Sequence, residues 1–169
     1  MKKIVFVVTS LVLIFSSLVY AQEKVLVLRE AKEHKKAAAA VEVYLEGNTL
    51  EVTVIGRMDR TKPRIYNVIV IGPKIGRVAP KMRETLYPTM KNEEPFPTKK
   101  SGGFIRFSSK EETKNTSGTL TKELLKFEIP GEKIVDGKRY QIWVKLESMQ
   151  RGGDKESFKF DLEDFANYF

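Results

Sequence analysis

The sequence predicts an all-β protein, an antiparallel two-sheet sandwich of about seven strands behind an N-terminal signal peptide. Three observations carry that prediction. Apolar residues recur at every second position in several separate stretches, Gly, Asn, Asp and Pro punctuate the intervals between them, and the first apolar run stands directly behind Met1-Lys2-Lys3. Alternation with period two marks a half-buried strand, because successive side chains of a strand point to opposite faces.

The chain opens with two lysines and an apolar run from Ile4 to Phe15, followed by Ser16-Ser17 and Val19-Tyr20-Ala21. A basic start, an apolar centre and small residues ahead of a break have the form of a secretory signal, with cleavage expected between Ala21 and Gln22. The alternative is retention as an anchor, since Ile4 to Ala21 is at the short edge of a bilayer span. In that case the membrane is touched only through this segment. Removal of 21 of the 169 residues leaves 148, the size of one ordinary domain. The protein is therefore expected in the periplasm or secreted. It has no cysteine, so no disulfide supports the fold and no thiol is available for lipidation.

Residues 22–40 read as a strand and linker: Val25 to Leu28 as a short strand, Arg29 to Ala40 as a linker or frayed helix rich in helix formers. The sandwich domain is expected over 41–164. Val41, Val43 and Leu45 answer Leu50, Val52 and Val54 across Gly47-Asn48, a pair suited to a two-residue hairpin turn. Ile65 to Ile71 is apolar on both sides, with Tyr66, Val68 and Val70 on one face and Ile69 and Ile71 on the other. A strand of that kind lies centrally or is covered. Residues 72–103 form a long loop holding five of the seven prolines, with room for a short strand over Lys74 to Val78 or for one helical turn, and loops of this length are commonly functional or disordered. Phe104 to Phe107 reads as a short strand. The terminal unit has three strands: Leu125, Phe127 and Ile129; Tyr140, Ile142, Val144 and Leu146; Phe158, Phe160 and Leu162. Residues 165–169 are read as a tail.

The segment Ile134-x-Asp136-Gly137-x-x-Tyr140-x-Ile142-x-Val144 resembles the corner into the sixth strand of fibronectin type III domains. Ile134 stands where that family has leucine, Gly137 and Tyr140 match, and Asp136 and Lys138 replace its proline and threonine. The hairpin 41–54 fits the family's first two strands and 65–70 its third, while the family's tryptophan at the end of the second strand is replaced by Ile55 or Gly56. The resemblance implies an immunoglobulin-like or fibronectin-III-like sandwich whose Tyr140 hydroxyl bonds back to the main chain. It implies a binding or spacing module without a particular ligand.

Charge narrows the partner. The mature chain carries 28 Lys and Arg against 22 Asp and Glu, and residues 57–114 hold 14 against 6, so the excess is concentrated there. On an exported chain a basic middle points to anionic envelope material and away from nucleic acid; the alternative is a solvated surface that keeps the protein soluble. Within the loop, Tyr87 and Phe96 stand among Arg77, Lys81, Arg83, Lys99 and Lys100, a mixture able to stack on sugars and pair with their acids, or simply to pin the loop to the sandwich. Parity places Trp143 on the outer face of its strand, with Ile69 and Ile71 beside it. This patch is either a partner site or is covered by Val25 to Leu28 or the long loop.

His34, the lone histidine, supports neither a Ser-His-Asp set nor a metal centre, and Asp161, Glu163 and Asp164 are too loosely spaced for calcium. The chain reads as a non-enzymatic module without cofactor that binds an envelope protein or an anionic glycan. The alternatives are a structural subunit of a surface fibre, joined by strand addition through Val25 to Leu28, and a carbohydrate-binding module using Trp143 or Tyr87.

Overall fold

The computed structural model describes residues 23–34, 37–59, 61–86, 95–99, 102–107, 120–150 and 152–169. The expected signal peptide lies outside the described residues, as do Tyr87 and Lys100. In chain order the strands are Val25–His34 (β1), Ala37–Glu46 (β2), Thr49–Met58 (β3), Pro63–Gly72 (β4), Gly76–Val78 (β5), Met82–Leu86 (β6), Phe96–Pro97 (β7), Phe104–Ile105 (β8), Leu120–Glu128 (β9), Tyr140–Ser148 (β10) and Lys155–Leu162 (β11). Every pairing is antiparallel. One sheet has the order β1-β2-β3-β9-β6, the second β11-β10-β4-β5, and β7 and β8 form a separate two-stranded arm. β1 to β4 and β9 to β11 are the long strands, eight to ten residues each. The expected all-β sandwich is what the chain forms.

The alternating residues meet between the sheets. Val41, Val43, Val52, Val54, Leu125 and Phe127 from one sheet pack against Ile65, Val68, Val70, Ile142, Val144 and Phe160 from the other, in one cluster. The β2–β3 hairpin turns at Gly47-Asn48 as its sequence requires, and Gly47 takes φ 57°. Only a residue without a Cβ enters that region without strain.

Four expectations need correction. Arg29 to Ala40 is no linker or helix: it supplies the second half of β1 and the first of β2. Ala37 and Ala39 belong to the main core, whereas Ala38 and Ala40 lie beneath the arm, with Ile55, Phe96 and Phe107. Burial on both faces outweighs the helix preference of alanine, which is worth only tenths of a kcal/mol per residue. Tyr66 does not face the core. Ile65 pairs with Leu146 and Asn67 with Lys145, so Tyr66 is an extra residue in a bulge and turns outward, 52% exposed.

The described residues of 72–103 are not all loop, since they include β5, β6 and β7. β6 is an edge strand exposed along nearly its whole length, so it carries no alternation for the sequence to reveal. Residues 165–169 are no free tail. Phe165 is fully buried, with its ring centroid 5.4 Å from that of Tyr140 and 5.2 Å from that of Phe169.

Candidate functional site

The two outer faces of the sandwich differ. At one end of the five-stranded sheet the β7–β8 arm covers the outer face, with Phe96 and Phe107 meeting edge to face at 5.8 Å above Ala38 and Ala40; farther along, that face bears the Tyr44 ring, beneath Lys24 at 4.8 Å. The outer face of the four-stranded sheet carries aromatic rings and cations. Its geometry follows from β10, where Tyr140, Ile142, Val144 and Leu146 are fully buried, so Gln141, Trp143, Lys145 and Glu147 point outward. Register then places Trp143 between Ile69 on β4 and Lys159 on β11, and Gln141 between Ile71 and Asp161. Ile71 in turn faces Arg77 of β5. Trp143, Ile69, Ile71 and Arg77 thus share one surface.

Each ring on this face has a cation above it. The Lys159 ammonium lies 4.3 Å from the Trp143 ring centroid. Tyr66 lies under Lys155 at 5.5 Å and Arg64 at 5.7 Å. Such contacts are attractive because the negative face of the ring meets the cation. The Trp143 indole N–H donates to Gln141 Oε1 at 3.0 Å, and the Gln141 amide donates to Asp161 at 2.7 Å, which fixes the ring's orientation. Tyr66 stands three positions along β4 from Ile69, the residue opposite Trp143, an offset of roughly 10 Å of strand.

The electrostatics are one-sided. Arg64, Arg77, Arg139, Lys145, Lys155 and Lys159 outweigh Glu147 and Asp161. Both acids are tightly held as carboxylates. Arg139 grips Asp161 at 2.7 and 3.0 Å, which with Gln141 lowers the Asp161 pKa to about 2. Glu147 sits between Arg64 at 2.6 Å and Lys155 at 3.2 Å, and those hydrogen bonds hold its carboxyl below the usual range. Lys145 makes no ion pair among the described residues. The face can therefore stack planar or ring-shaped groups and still attract negative charge.

The basic stretch does not converge on one site. Arg77 joins the outer face just described. Arg83 ties β6 down, holding Glu123 at 2.5 and 3.0 Å and donating to the Ile65 carbonyl. Lys81 is exposed beside β9, its amide donating to the Lys126 carbonyl. Phe96 is buried as the arm's anchor, with the Arg29 guanidinium 4.3 Å from its ring centroid. Lys99 pairs with Glu163 at 2.6 Å, which raises the lysine's pKa.

Val25 to Leu28 does not cover Trp143 either. It pairs with Val43 to Leu45 in the other sheet; of the described part of the long loop, β5 extends the edge of the four-stranded sheet beside β4, while β6 and the arm lie on the other sheet. His34 lies exposed beside Glu156 at 2.8 Å. Among the described residues no group of three or more His, Asp or Glu is placed to hold a metal ion.

The corner residues hold β10 in place. The Val135 amide donates to the Tyr140 hydroxyl at 2.8 Å, Gly137 takes φ 63°, and Ile134 packs against the core. Sequence reasoning missed Tyr66, which the bulge re-aims, and Lys155, whose place beside Tyr66 depends on register. Lys155, Ser157, Lys159 and Asp161 do alternate on β11, and that signal marks the outward row of the strand. No family model matches this chain, and neither does any curated protein or solved structure.

Proposed function

We propose that this chain is an exported, non-enzymatic β-sandwich module of the immunoglobulin or fibronectin type III kind. In this reading it holds an anionic envelope polymer, an acidic glycan, on the outer face of its four-stranded sheet. The observation that carries the binding role is the pairing of two outward rings, Trp143 and Tyr66, each with a lysine of β11 above it. A sugar ring stacks on the aromatic face while its carboxylate, sulfate or phosphate takes the displaced ammonium. The excess of cation over acid draws the polymer in from a distance.

Two features support the fold-level reading. Within the sheets β1-β2-β3-β9-β6 and β11-β10-β4-β5, the runs β2-β3-β9-β6 and β11-β10-β4 follow the immunoglobulin strand orders ABED and GFC, with two further strands, β1 beside A and β5 beside C. The Tyr140 hydroxyl bonded to Val135 at the start of β10 corresponds to the tyrosine corner of such folds. Export rests on the N-terminal sequence. Strand addition through Val25 to Leu28 is the alternative reading: the segment belongs to the edge strand of its sheet, paired with β2 along one side.

The test is retention on immobilised polygalacturonate, with neutral dextran as control. Wild type is expected to bind the acidic polymer, to elute as salt rises and to ignore dextran. Lys145→Glu combined with Lys155→Glu is expected to weaken retention at least about tenfold, a loss of about 1.4 kcal/mol. Equal retention of the double variant would remove this face from the proposal, and capture of an envelope protein instead of the polymer would change the class of partner.

A further inference from the structure

A groove of about 360 Å³ runs between β1, the β7–β8 arm and β11, at the small end of the range for ligand sites. Its floor holds an unusual group. Glu30 pairs in register with Val41, a residue of the main core, so its side chain turns inward between the sheets. That side chain is only 3% exposed, and neither carboxylate oxygen has a hydrogen bond. The closest cation, the Lys32 ammonium, is 3.5 Å away and gives its hydrogen bond to the Lys159 carbonyl. A carboxylate accepts several hydrogen bonds, and leaving them unmade in a buried site is costly. Glu30 is thus an acceptor set at the base of a ligand-sized groove.

The rest of the lining restricts what can supply the donors. Lys32, Lys99 and Lys159 border the same groove, and the other acid of the lining, Glu33, is paired with Arg57 at 3.1 Å, so a cationic ligand meets repulsion there. An anionic ligand satisfies the lysines and leaves Glu30 unmatched. A hydroxyl both donates and accepts, so a neutral polyhydroxylated ligand can donate to Glu30 and accept from the lysines together. Phe104, at the tip of the arm, is 69% exposed and offers a ring face to the C–H side of a sugar.

We infer that this groove is a second binding site, for a single neutral sugar residue held by Glu30 and stacked on Phe104. It rests on the reading of the neighbouring face as a glycan surface and deepens it: Lys159 borders the groove and also covers Trp143, so one chain can run from face to groove. Lys32 shifts to admit the ligand's hydroxyl to Glu30.

The test is a titration of the full chain with glucose, galactose, mannose and N-acetylglucosamine, with glycerol as control, followed through the amide resonances of Phe104 and Ile105. Salt of about 1 M screens charges beyond about 3 Å and suppresses polymer-type binding. At least one of the four sugars is expected to give saturable shifts that glycerol does not. Phe104→Ala and Glu30→Leu are each expected to weaken that binding at least about tenfold, while Glu30→Leu raises Tm because it removes buried acceptors that have no hydrogen bond.

The Lys145→Glu, Lys155→Glu protein is expected to bind the sugar within about twofold of wild type. It therefore separates failure of the groove from failure of the polymer face. The inference is overturned if no sugar shifts these resonances, if glycerol matches the sugars, or if Phe104→Ala binds as wild type does. Phe104 is exposed, so this last variant reads the groove independently of any change in stability at Glu30.

Discussion

Tyr140 shows how much one side chain decides. It is fully buried, stacks on Phe165, and its hydroxyl accepts from the Val135 amide at 2.8 Å. Tyr140→Phe leaves that amide without its partner, and urea unfolding should record a loss of about 1–2 kcal/mol, the usual cost of an unmade hydrogen bond. Asp161 makes a prediction in pH. Its pKa is lowered to about 2 from the ordinary 3.8, first by its hydrogen bond to Arg139. A carboxylate with a lower pKa folded than unfolded binds fewer protons when folded, so the stability it brings is complete above its unfolded pKa. That stability is lost as pH falls from about 4 towards 2. Since Arg139 is largely exposed, the effect on stability is small, and the sharper readout is the carboxyl resonance itself. It should titrate near 2 in wild type and return towards 3.8 in Arg139→Ala. Tyr140 was legible because its corner motif is local; the Asp161–Arg139 pair was not, because it joins β11 to the turn before β10.

At the scale of elements, β2 is the instructive case. Its first four residues are alanines with no alternation to read, yet all are buried. They form a strand because β1 and β3 pair with them on either side and the arm rests on one of their faces. Small side chains are what let the arm approach. Ala38→Leu should therefore overfill the space beneath Phe96 and Phe107, at about 1–3 kcal/mol, and thermal unfolding should show a lower Tm with far-UV dichroism unchanged. β10 and β11 were legible from alternation alone. β6 was not, because an edge strand exposed along nearly its whole length buries no periodic face, and the bulge at Tyr66 was not, because a bulge is a relation between two strands.

For the whole molecule, the proposal of export predicts that the native protein begins at Gln22, which intact-mass measurement of material from the cell envelope or medium would check; a mass including residues 1–21 would favour the anchored form. The sandwich also makes the two outer faces unlike, one covered at one end by the arm and the other bearing Trp143 and Tyr66 beneath lysines of β11. By itself the sequence determined the all-β class, the main hairpin and the inward row of Tyr140, Ile142, Val144 and Leu146, and it set Trp143 on the opposite side. These follow from alternation and turn chemistry, which act between near neighbours in the chain. Only the tertiary structure decided that the alanine run is strand, that Phe96 is an anchor instead of a ligand contact, that Tyr66 turns outward and that Glu30 lies unmatched beneath the groove. Each of these depends on which distant strand lies alongside and what packs above it, and such long-range contacts leave no periodic trace in the chain.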